Sequence, residues 1–160
     1  MKSSPIGLRI FLMGVLAAIF LLIATQAKAN GIMQNEQSIY FSFNDAILSP
    51  VTKHKLDSIV RDIQARGDVK GVRVVGFADH VGSPSYNEKL SHKRADSVRN
   101  YLAAKGIKNA TVADIRWFGD SLPATDCREN LSRPALIACL QNDRRVDIEI
   151  DYTIRMARAQ

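Results

Sequence analysis

Two cysteines, three histidines, five prolines and nine glycines are all that the 160 residues hold of these types, and each shortage removes a class of protein. Glycine and proline at this level exclude fibrous and disordered chains and leave an ordinary globular composition, 46% hydrophobic and 24% charged. His54, His80 and His92 are too widely spaced to make a metal set. His80 lies beside Asp79, within reach of a ligand there, and reads as an exposed loop residue. No G-x-S-x-G elbow surrounds any serine. Asp126 and Glu129 flank Cys127 as solvated charges, not as a glycosidase pair. Without a catalytic constellation, a metal site or a cofactor motif, the chain reads as a non-enzyme that needs no cofactor. Lys plus Arg number 22 against 16 acidic residues, yet no basic cluster of the nucleic-acid-binding kind occurs.

Half of the net charge of +6 belongs to the N-terminus. Lys2 and Arg9 precede an uncharged 15-residue run, Ile10 to Ala24, and Ala27-Lys28-Ala29 follows it. Charged start, short apolar run and A-x-A site predict a signal peptide over residues 1–29, cleaved after Ala29. The alternative is an uncleaved inner-membrane anchor at Ile10–Ala24, but a span needs about 20 apolar residues. No cysteine follows the run to take a lipid. Without Lys2, Arg9 and Lys28 the remaining 19 basic residues face 16 acidic ones, a net charge of +3. The expected mature chain of 131 residues suffices for one core.

Cys127 and Cys139, with eleven residues between them, both fall in the exported part. In an oxidising compartment this even count reads as a disulfide, worth about 3 kcal/mol in the chain-entropy model. A metal pair is the alternative, and it lacks neighbouring ligands.

Ser38–Phe43 alternates as a strand, and Ser49-Pro50 opens a helix with Leu56, Ile59, Val60 and Ile63 on one face up to Gly67. Val72–Phe77 is a second strand. Ser83-Pro84 caps a long helix that runs to about Lys105 and stops at Gly106. Val112–Trp117 is a third strand, with Trp117 in the core or at its rim. Pro134–Gln141 is a short helical stretch, and Arg145–Tyr152 alternates strictly as the last strand. The expected fold is α+β: a two-layer sandwich in β-α-β-α-β-β order, with two main helices on one face of a four-stranded sheet.

One residue contradicts the helical pattern. Leu90, Val98, Tyr101 and Leu102 define the buried stripe of the long helix, and Arg94 lies in its middle with Asn87 in line with it. A guanidinium there must snorkel to the helix edge, form a structural ion pair or line an anion site. Asp79, in the loop before the helix, is its natural partner; together they suit a zwitterion, ammonium on the carboxylate and carboxylate on the bidentate fork.

The stretch GFADHVGSPSYNEKLSHKRADSVRNYL, Gly76 to Leu102, resembles the signature of the OmpA C-terminal domain family. That signature is a Gly-x-Thr-Asp-x-x-Gly turn followed by Tyr-Asn, Leu-Ser, Arg-Ala and Val. YFSFNDAILSP and NDRRVDIEI resemble the family's first and last strands, and the resemblance covers residues 36–152. The Cys127–Cys139 pair resembles the version of the domain that follows the β-barrel in enterobacterial OmpA. The resemblance implies a peptidoglycan-binding module whose ligand is the diaminopimelate of the stem peptide. It gives Asp79 the ammonium and Arg94 the carboxylate, with Asn44 and Asn87 completing the pocket. Ala78 stands where the family has threonine, which removes a hydroxyl, and Arg144 and Arg145 are expected to brace the last strand. With about six mature residues before the domain, the chain is not expected to be a pore. Ile10–Ala24 also lacks the acidic residue of flagellar stator helices.

The function expected is a periplasmic, outer-membrane-associated anchor to peptidoglycan, its weak single site reinforced by tethering or by a homo-oligomer. The alternative is a protein-interaction subunit of an envelope assembly, bound to envelope-complex proteins and carrying a vestigial pocket.

Overall fold

The computed structural model describes residues 33–107 and 112–154. The expected signal peptide and the alternative anchor, Ile10–Ala24, lie outside the described residues. The elements are β1 (Met33–Tyr40), α1 (Pro50–Arg66), β2 (Gly67–Gly76), α2 (Pro84–Ala104), β3 (Val112–Trp117), α3 (Arg133–Cys139) with a 3-10 turn (Leu140–Asp143), and β4 (Arg145–Ile154). The sheet order is β1-β4-β2-β3, with β2 and β3 parallel and the other neighbours antiparallel. This is the α+β two-layer architecture expected, with the short α3 added to the two main helices.

The helix starts follow from local chemistry. Ser49 Oγ accepts the Thr52 N–H at 3.1 Å and Ser83 Oγ accepts the Tyr86 N–H at 3.2 Å. Each capping serine precedes a proline, whose missing N–H costs nothing at a first helical position. The strands differ more from expectation. β1 runs through Met33–Tyr40 where Ser38–Phe43 was expected, because pairing with β4 extends from Met33↔Tyr152 to Tyr40↔Arg145 and recruits polar residues without strand propensity. β2 begins at Gly67, ahead of the expected Val72, for the same reason.

The core lies between the sheet and α1 and α2. Leu56, Ile59, Val60 and Ile63 of α1 and Ala95, Val98 and Leu102 of α2 pack with Ile39, Val72, Val74, Val146, Ile148 and Ile150 of the sheet. Leu56, Val98 and Leu102 have no exposed surface, and each such burial contributes about 2 kcal/mol. The residues alternating with these form a charged outer face, where Arg73 pairs with both Asp114 and Glu149. Gly76 lets α2 approach β2 closely: a Cβ there would lie 2.1 Å from the Ser91 carbonyl oxygen. Cys127 and Cys139 form the expected disulfide, Cα–Cα 6.2 Å, tying the loop before α3 to the end of that helix. Among the described residues no helix is long and apolar enough to cross a membrane.

Candidate functional site

The C-terminal end of β2 opens into the turn that carries Asp79. The Phe77 N–H donates to the Arg145 carbonyl at 2.9 Å and the Ala78 N–H to the Gly119 carbonyl at 2.7 Å, so both neighbouring segments hold the turn. Gly119, with φ +55, offers its own N–H to Ser91 Oγ at 3.0 Å. A side chain at this position would be strained and would crowd the Glu88 backbone nitrogen, 3.2 Å from a Cβ. Asp79 Oδ1 accepts the Val81 N–H at 3.0 Å, an Asx turn that orients the carboxylate.

Arg94 is fully buried. Its Nε donates to the Asp45 carbonyl at 2.8 Å, Nη1 to the Phe77 carbonyl at 3.0 Å and Nη2 to the Ser42 carbonyl at 3.2 Å. Thus the helix arginine clips the β1–α1 loop to the end of β2, and its guanidinium lies 5.5 Å from the Phe41 ring centroid. Burial lowers its pKa to about 10, partly opposed by the attraction of Asp79, so it stays charged at neutral pH.

The direct partner of Asp79 is not Arg94, as the helical pattern suggested, but Arg144. Arg144 Nη1 donates to Asp79 Oδ2 at 3.1 Å, with both side chains 6% exposed. Arg144 also donates from Nε to the Phe41 carbonyl at 3.3 Å and from Nη1 to the Ile137 carbonyl at 2.8 Å. Arg145 braces the last strand as expected, donating to Asp147 at 3.0 Å. The doublet in NDRRVDIEI was visible in the sequence, but only the tertiary fold shows that Arg144, just before β4, pairs with Asp79 while Arg145 covers the Phe77 ring at 3.9 Å. Arg144 also lines an open groove of about 480 Å³ with Tyr40, Phe43, Ile47 and Lys55.

Asn44 adopts φ +57 in the β1–α1 loop, and its Oδ1 accepts a hydrogen bond from the Tyr86 hydroxyl. Asn87 is buried and donates from Nδ2 to Asp120 Oδ2 at 3.0 Å. Asn44, Asp79 and Arg94 therefore meet where the β1–α1 loop, the β2–α2 turn and α2 converge. Asn87 faces the turn from the other side, 3.3 Å from where a Gly82 Cβ would stand. Tyr86, Ser91 and Asp120 are supporting residues that sequence reasoning missed, and Arg144, expected to brace the last strand, holds Asp79 instead. His80 is exposed, and among the described residues no cluster of His, Cys, Asp or Glu suits a metal ion. Trp117 is 38% exposed, so it lies outside the core.

The family model described as "OmpA family" matches residues 40–135, more than half of the chain. The chain belongs to the OmpA family. Curated relatives include outer membrane protein A of Klebsiella pneumoniae, 41% identical over 72% of this chain and 34% of its own length. Outer membrane protein P5 of Haemophilus influenzae is likewise 41% identical, over 72% of this chain and 33% of its own. The chain thus spans about a third of the length of these relatives. Among solved structures, the peptidoglycan-associated lipoprotein from Burkholderia pseudomallei is similar at TM-score 0.56 and 22% identity, over 71% of this chain and 89% of that one. The cell wall anchor of the T6SS from Pseudomonas aeruginosa matches at TM-score 0.57 and 23% identity, over 81% and 94%. These two likenesses establish the OmpA-like fold.

Proposed function

We propose that this OmpA-family chain is a non-enzymatic anchor that binds peptidoglycan in the periplasm, through the diaminopimelate of the stem peptide. The observation that carries the reading is the convergence of a buried carboxylate, Asp79, and a buried guanidinium, Arg94, on one turn of the fold. Names among the family and its structural neighbours point the same way: outer membrane proteins, a peptidoglycan-associated lipoprotein and a cell wall anchor.

The free end of diaminopimelate is a zwitterion. Its ammonium suits Asp79, whose negative charge two arginines hold in place. Its carboxylate suits Arg94. Three of the five N–H groups of that guanidinium are bound to carbonyls, which leaves one on each terminal nitrogen, spaced for a carboxylate. Because Arg94 is buried, a ligand reaches these donors only by displacing part of the β1–α1 loop. Asn44, between the two loop carbonyls that Arg94 holds, and Asn87 supply hydrogen bonds. A few charge-assisted bonds to a small group make a weak single site, on the order of micromolar to millimolar. Attachment to a polymer by tethering or as a homo-oligomer compensates.

The test is sedimentation of the purified protein with isolated sacculi, beside Asp79→Asn and Arg94→Lys. Both changes keep a polar side chain in place: asparagine retains an acceptor for Arg144 Nη1 and lysine retains the positive charge, whereas alanine at Asp79 would strand the buried Arg144 at a cost of about 3–5 kcal/mol. The wild type is expected to pellet and both variants, each assayed below its own melting temperature, to lose at least about tenfold in affinity, each tenfold being about 1.4 kcal/mol. Equal pelleting of all three folded proteins would remove the pocket assignment and leave an envelope-assembly subunit as the function.

A further inference from the structure

A second groove, of about 390 Å³, lies on the far side of Asn87, at the exposed end of β3. Trp117 and Phe118, each 38% exposed, line it with Glu88, Asp120, Ser85 and Ser121. The indole is held in place: His92 stacks on it at 3.9 Å between centroids with 17° between planes, and Asp96 lies 3.4 Å from His92 Nε2. A wide aromatic left at the surface, fixed from behind and bordered by carboxylates and hydroxyls, is not a core residue that failed to pack.

We propose that this groove is a saccharide subsite, taking an N-acetylated sugar ring of the glycan strand whose peptide enters the Asp79–Arg94 site. The proposal rests on the peptidoglycan reading above and adds a second recognised part of the same polymer. A pyranose ring presents a face of C–H groups that stacks on an indole, and a rim of hydroxyl and amide groups that bonds to carboxylates and serines. The volume falls within the range of small-molecule sites. The held indole loses little freedom when a sugar settles on it.

Hydrogen bonds tie the wall of the groove to the first site. Asp120 lines the groove and accepts from Asn87 at 3.0 Å; the Gly119 carbonyl beside it accepts the Ala78 N–H, one residue before Asp79. A branched polymer that puts its peptide in one site therefore has its sugar within reach of the other. A pyranose meets both the flat indole and the rim of carboxylates and hydroxyls, whereas a basic peptide side chain would meet the carboxylates alone.

Two ligands separate the sites: the free stem tetrapeptide containing diaminopimelate, and the same peptide carried on its N-acetylated disaccharide. The purified wild-type protein is expected to bind the glycosylated form about tenfold more tightly, the scale of one aromatic stacking contact with its hydrogen bonds. Trp117→Ala is expected to bind both forms equally and Glu88→Gln to lose part of the preference, with free-peptide affinity unchanged in both; Glu88→Gln alters only an exposed side chain, so it reports even where Trp117→Ala unfolds. Trp117 is the single tryptophan of the chain, so its emission should shift saturably with an oligomer of N-acetylglucosamine. Equal wild-type affinity for both forms, or emission that ignores the oligomer, overturns the saccharide subsite while the peptide site stands and turns the groove toward a protein partner. Failure of both peptide forms to bind overturns both readings.

Discussion

Arg94 and Gly76 show how single residues set the geometry at one end of the sheet. Arg94 is the largest fully buried side chain, and its three carbonyl partners come from two separate segments of chain. Its anomaly was legible in the sequence as a charge on an apolar stripe; its partners were not, because backbone carbonyls leave no trace in a residue pattern. Arg144 illustrates the same limit, since pairing it with Asp79 requires knowing that β4 lies beside β2. Gly76 is where α2 comes closest to the sheet. Gly76→Ala forces a methyl to within 2.1 Å of the Ser91 carbonyl oxygen and 3.2 Å of the Ala95 methyl. The helix must shift, so urea denaturation should show a loss of about 3 kcal/mol, the upper end of overpacking costs. A midpoint equal to wild type would mean that α2 is free to slide.

At the scale of elements, the two helices are tied by a polar clasp as well as by the core. Lys105, just past α2, lies 2.8 Å from Asp57 of α1, and the Tyr101 hydroxyl donates to the same carboxylate at 2.9 Å. The hydrogen bond from Lys105 holds Asp57 below the usual carboxylate range, and the same bond holds Lys105 above the usual lysine range. The depressed acid contributes stability above its unfolded pKa and loses it as pH falls through the folded one. The raised base contributes below its unfolded pKa and loses it as pH rises through the folded one. The melting-temperature gap between wild type and Asp57→Asn should therefore be full between about pH 5 and 9 and shrink on either side. Because the clasp is exposed to solvent, salt should shrink the gap too. A gap constant from pH 3 to 7 would rule out the charge and leave only shape (the range is about that of carboxylate titration).

For the molecule as a whole, the disulfide closes the longest irregular segment among the described residues. Cys127–Cys139 fastens the loop after β3 to α3, whose Ile137 carbonyl in turn receives Arg144. Reducing it frees the unfolded chain, so the protein should lose about 3 kcal/mol in urea with and without reductant, and Cys127→Ser with Cys139→Ser should match the reduced form. An unchanged midpoint would show that the loop is ordered without its crosslink. The sequence by itself determined the helices, their serine caps, the alternating last strand, the disulfide and the family, because each of these is written in neighbouring residues or short spacings. Only the tertiary structure decided where β1 and β2 begin, that Asp79 turns to Arg144, that Asn87 turns to Asp120, and that Trp117 faces solvent beside a groove. Those are contacts between segments that are distant in the chain, and the sheet pairing that brings them together is a property of the whole fold.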